Sequence, residues 1–173
     1  LSDLTSPTEV TPTADPTSLF AGLQAKRQEI EDGLRKTLRV PHWPDPEIWV
    51  TYRPIQADEL EAIGRKADKI KSSAHRNLQM AQDTLITACV KVQGVIDGEW
   101  LSFGADPHGE PTRFDEEMAT RLELQDKSAR SIVKFLFFND GDLLNMAAAI
   151  TDFSGLSYHE AEEEFAGEST ATL

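Results

Sequence analysis

The sequence predicts a mainly α fold: a helical domain with a minor β element, a short strand plus a β-hairpin. Three observations carry that expectation. Apolar residues recur at helical spacing through most of the chain, for example Leu60, Ile63, Ala67 and Ile70, and again Leu143, Met146, Ala147 and Ile150. Residues 132–138 are apolar except for Lys134, as expected of a central helix. Asp97-Gly98 stands between two apolar runs, the signal of a two-residue hairpin whose turn needs positive φ at both central positions.

Taken in order, residues 1–17 are mostly Thr, Ser, Pro and acids, with Pro7, Pro12 and Pro16, and read as a disordered tail. A helix is expected from about Ser18 to Leu38, because Leu19, Leu23, Ile30, Leu34 and Leu38 fall within a sector of roughly 100°. Gly22 and Gly33 weaken it by about 1 kcal/mol each relative to Ala. Pro41, Pro44 and Pro46 then make a link, so residues 18–46 read as a tethered amphipathic helix able to face a partner. Ile48-Trp49-Val50-Thr51-Tyr52-Arg53, ended by Pro54, reads as an edge strand. A helix over 57–74 buries Leu60, Ile63, Ala67, Ile70 and Ala74, and its opposite face carries Arg65, Lys66, Lys69 and, just beyond, Arg76. The next helix, 79–90, presents Leu85, Ile86 and Cys89. The hairpin and a loop over 104–111 follow.

From Asp115 onward the expectation is all helix. Asp115 caps a short one to about Leu124, and Asp126 or Ser128 caps the next, to about Phe138. Asn139-Asp140-Gly141 breaks the chain before a helix whose stripe is Leu143, Met146, Ala147, Ile150 and Phe153. Ser154-Gly155 ends it. A last helix, from Ser157 to about Ala166, buries Tyr158, Ala161 and Phe165 and exposes Glu160, Glu163 and Glu164. The main domain thus spans 47–168, with 169–173 a C-terminal tail.

Composition narrows the function classes. The chain has 173 residues and 17 Lys+Arg against 30 Asp+Glu, a formal charge of −13. Such a charge repels phosphate backbones, so neither nucleic acid nor an anionic membrane is an expected partner. No apolar stretch reaches the ~20 residues of a membrane span, and no secretory signal is visible. Leu1, where Met is expected, reads as trimming or a non-standard start. One cysteine, Cys89, allows no intrachain disulfide and reads as a small buried hydrophobe at helical spacing from Leu85 and Ile86. The expectation is a soluble protein of a reducing compartment.

The search for chemistry returns no catalytic, metal or cofactor site. His42, His75, His108 and His159 are scattered, none within a helical turn of another or beside Cys89. His159-Glu160 resembles the start of a zincin motif, but Glu163 holds the second ligand position. Asp140-Gly141-Asp142 lacks the spaced ligands of a calcium loop. Neither phosphate-binding glycine motif is present. Two charge features remain, the basic row of Arg65, Lys66, Lys69 and Arg76 and the acidic segment after residue 141, which has seven acids and no Lys or Arg. Each is ordinarily a solvated face. Their opposite signs also fit head-to-tail contact between copies, Arg65, Lys69 and Arg76 against Glu160, Glu163 and Glu164, and a homo-oligomer.

Trp49-Val50-Thr51-Tyr52-Arg53-Pro54-Ile55 followed by Asp58-Glu59-Leu60 resembles the strand-then-helix entry of tail assembly chaperones of long-tailed phages of Gram-positive hosts. The likeness continues through Leu85-Ile86, Ala88-Cys89-Val90, Asp97-Gly98, Phe114-Asp115, Asp140-Gly141-Asp142-Leu143-Leu144 and Phe153-Ser154-Gly155. Glu163-Glu164-Phe165-Ala166-Gly167-Glu168 is similar to the endings found in phages of actinobacteria. The resemblance covers residues 47–168 and implies a non-enzymatic role. Such proteins bind the tape measure protein, keep it soluble in the host cytoplasm, help recruit tail tube protein, and are usually absent from the mature virion. The candidate client surfaces are the stripe of Leu19, Leu23, Ile30 and Leu34 and the cluster Phe135–Phe138, the latter otherwise simply core. The rival readings are a small structural virion or head–tail adaptor protein, an acidic DNA-mimic inhibitor, and an enzyme with dispersed residues.

Overall fold

The structure, a computed structural model, describes residues 16–156, and the chain divides into two compact units, Leu1–Leu34 and Arg35–Leu173. Residues 1–15 of the expected tail and the segment expected as a last helix, with His159, Glu160, Glu163 and Glu164, lie outside the described residues, while Pro16 and Thr17, expected in the tail, belong to a helix. In the first unit α1 runs Pro16–Gly33. The second unit continues with β1 (Lys36–Arg39), β2 (Glu47–Tyr52), α2 (Ala57–Ala67), α3 (Ser73–Ala88), β3 (Cys89–Ile96), β4 (Glu99–Ser102), α4 (Glu116–Arg121), α5 (Ala129–Leu136) and α6 (Asp140–Phe153).

The fold is mixed α/β, which corrects the expectation of a mainly α fold with a minor β element. Four antiparallel strands form one sheet in the order β1-β2-β3-β4. The first helix stops at Gly33, and Leu38, which continues its spacing, belongs to β1 instead. Local spacing favours helix there, but pairing decides: Lys36 to Arg39 register against Tyr52 to Trp49, and the hydroxyls of Thr37 and Thr51 meet at 2.9 Å. Strand β2 is therefore interior rather than edge. Pro54 lies just after it and removes no ladder hydrogen bond. Cys89 and Val90, expected at the end of a helix, begin β3, with a bulge opposite Thr51 and Tyr52.

The helix expected over 57–74 breaks after Ala67. Ser72 caps a new helix by accepting from the His75 amide, so α3 begins well before residue 79. Other local signals hold: Asp115 accepts from the Met118 amide, Ser128 from Ser131 and Asn139 from Asp142. In the hairpin Asp97 has φ 53° and Gly98 φ 81°, and Ile96 pairs with Glu99.

One face of the sheet packs on the helices. Val50 and Val92 from the strands join Leu85, Met118, Ile132, Leu136 and Ile150, all essentially without solvent contact. Polar clamps fix the periphery. Arg53, at the end of β2, donates both guanidinium nitrogens to Glu59 at 2.9 and 2.7 Å and also reaches the Thr87 carbonyl. These hydrogen bonds hold the Glu59 carboxyl below the usual carboxylate range. Arg130 donates to both carboxylate oxygens of Asp83 at 2.7–2.9 Å, tying α5 to α3.

The proline-punctuated stretch after β1 is built in rather than a loose link. Val40 is fully buried, and Trp43 packs on the core with its indole N–H donated to the Leu136 carbonyl at 2.8 Å.

Candidate partner-binding surfaces

Among the described residues no group of three or more His, Cys, Asp or Glu side chains could hold a metal ion. His42 Nε2 lies 2.9 Å from Asp142, His108 Nδ1 lies 3.4 Å from Glu99, and the His75 amide is taken by the cap of α3. Cys89 is buried, and loss of water pushes its thiol up to about 12. At pH 8 the native protein should therefore leave Cys89 unlabelled by a thiol reagent. Stoichiometric labelling should appear only in denaturant; fast labelling of folded protein would contradict the burial.

The distinctive surfaces are apolar. On α1 and just after it, Leu19, Phe20, Leu23, Ile30 and Leu34 are between 47% and 64% exposed. The helix also carries turn-to-turn pairs, Lys26 with Glu29 and Arg27 with Glu31, both at 2.8 Å. Such pairs contribute only about 0.2–0.5 kcal/mol each. A helix of this length, with Gly22 and Gly33 and an uncovered stripe, is marginal in water until something packs on it. Four of the five residues, Leu19, Leu23, Ile30 and Leu34, are those that the helical spacing places in one stripe. Phe20 sits at the stripe's margin.

The second candidate, Phe135–Phe138, divides. Leu136 and Phe137 are buried while Phe135 is 40% and Phe138 64% exposed, so α5 is not apolar core all round. The two outward rings flank Trp43, with centroids 5.8 and 5.3 Å from it, and His42 meets Phe138 edge-on at 6.3 Å. No sequence spacing joins Trp43 to residues so distant in the chain.

The basic row also divides. Arg65, Lys66 and Lys69 are exposed on and just beyond α2, and Arg65 lies 3.6 Å from Glu61. Arg76 belongs to α3, is half-buried, and turns back to donate to the Ile70 carbonyl at 2.9 Å. Its expected partners Glu160, Glu163 and Glu164 lie outside the described residues.

Two surfaces carried no sequence signal. The open face of the sheet pairs Trp49 with Trp100 at 5.9 Å beside Lys91 and Gln93. A groove of about 580 Å³ runs between α2, α3 and α6, with Leu60, Met80, Leu144 and Leu156 among its apolar walls. Its lining includes Ala57, Gly64 and Ala148, small residues that register in no hydrophobic pattern. No described helix is long and apolar enough to cross a membrane. No family model, no curated protein and no solved structure matches the chain.

Proposed function

We propose that the chain is a tail assembly chaperone of the long-tailed phage type, which binds the tape measure protein, keeps it soluble and helps recruit tail tube protein in the host cytoplasm. The observation that carries the reading is the uncovered stripe of α1. A client helix laid along Leu19, Leu23, Ile30 and Leu34 buries its own apolar face and theirs together. The two helices order each other, because neither alone has enough packing to offset its conformational entropy. Phe135 and Phe138 offer a second apolar contact. The charge of −13 keeps the loaded protein soluble by mutual repulsion. Without client, the same stripe can pair between copies, giving a homo-oligomer. No step of this role breaks or forms a covalent bond, and no cofactor takes part.

The test is co-production with the tape measure protein of the same phage. The client should move from the insoluble to the soluble fraction and elute with this chain as one complex. A client equally insoluble with and without the chain would contradict the proposal. So would abundant chain in purified finished particles, which fits a structural virion protein instead.

A further inference from the structure

We propose that the groove between α2, α3 and α6 receives α1 of a second copy of this chain, so that two copies exchange their first helices. The two surfaces match in form. The groove's walls include Ala57, Gly64, Ala81, Ala147 and Ala148, and an added Cβ at Gly64 would meet nothing within 4 Å. Small side chains leave room for large ones, and the α1 stripe supplies them. Leu19, Leu23 and Ile30, with Leu34 just beyond, are between 47% and 59% exposed. An amphipathic helix laid by its apolar face into an apolar groove is a general mode of recognition, with anchors spaced as these are.

Charge sets the register. Among the described residues lining the groove, Glu61 alone is charged, with Ala57 one helical turn before it and Gly64 one turn after. Lys26 and Arg27 are the only basic residues of α1 and border its stripe midway, with Leu23 one turn before and Ile30 one turn after. Opposite charges at the centre of each surface therefore bring Leu23 and Ile30 to the levels of the small residues Ala57 and Gly64, whichever way the helix runs. The present pairs of these charges, Glu61 with Arg65, Lys26 with Glu29 and Arg27 with Glu31, are solvent-exposed and contribute little, so they are readily exchanged. Only Leu34 and Arg35 stand between α1 and β1, and short hinges favour exchange of an element between copies. Exchange both ways fills both grooves and covers both stripes, which closes a two-fold dimer. This seating needs no client, so it can be absent while the chaperone reading stands.

The full chain, without client, is the material for the test. Light scattering should give the mass of a dimer at micromolar concentration. Gly64→Leu, which fills the open space, should raise the dissociation constant at least ~10-fold without lowering the melting temperature. Lys26→Glu with Arg27→Glu should also weaken the dimer, and adding Glu61→Lys to the same chain should restore it. A photoreactive amino acid at position 30 should cross-link to α2, α3 or α6 of a second copy, seen as a covalent dimer whose joined peptides are read by mass spectrometry. The same peptides joined at the mass of one chain would seat α1 on its own chain, and a cross-link to a second α1 would pair the two stripes with each other. Either result overturns the proposal. So would a chain that is monomeric from micromolar to millimolar concentration, or a dimer indifferent to Gly64→Leu.

Discussion

A chain that begins at Glu47 should fail to fold, whereas one that begins at Arg35 should melt in a single cooperative transition. The longer deletion removes the whole of β1, so β2 loses the partner that registers Lys36 to Arg39 against Tyr52 to Trp49. It also removes Val40, which has no solvent exposure, and Trp43, with its hydrogen bond to the Leu136 carbonyl. Losing a packed Trp side chain alone costs about 3–5 kcal/mol, and a buried Val adds about 1.5–3. That is comparable to the whole stability of a domain, about 5–15 kcal/mol. Circular dichroism during heating distinguishes the two chains. Equal melting of both would mean that β1 and Trp43 contribute nothing to the fold.

The second large effect is on client binding. Leu23→Asp together with Ile30→Asp should leave the melting of residues 35–156 unchanged and weaken the tape measure complex at least ~100-fold. Full burial of each side chain is worth about 1.5–3 kcal/mol, and 1.4 kcal/mol is a tenfold change in affinity. Placing a carboxylate in the contact adds a desolvation cost. Ala25→Asp, on the opposite side of α1, should change affinity little. Titration calorimetry with a soluble client fragment reads both variants.

The parts of this fold legible in the sequence are those whose physics is local. The caps at Asp115 and Ser128, the break at Asn139 and the Asp97-Gly98 turn are decided by a few neighbouring residues, and each is where its residues place it. Strand pairing is not local. Leu38 satisfies the helical spacing of Leu34 and lies in β1 because Thr51 and Val50 stand opposite its segment, a relation absent from any short window. The same holds for the central position of β2 and for the start of β3 at Cys89.

The candidate surfaces divide in the same way. The α1 stripe is one helix face and is visible as spacing alone. The separation of Phe135 and Phe138 from Leu136 and Phe137 depends on where Trp43 lands, far away in sequence. The groove at Gly64 is an absence of side chain, which hydrophobic periodicity does not register.

The central claim is that the client lies along the stripe of α1. A photoreactive amino acid placed at position 23 should, on illumination of the assembled complex, cross-link to the tape measure protein, and the same group at position 25 should not. Cross-links from position 25 but not from position 23, in a complex that still forms, would contradict the account.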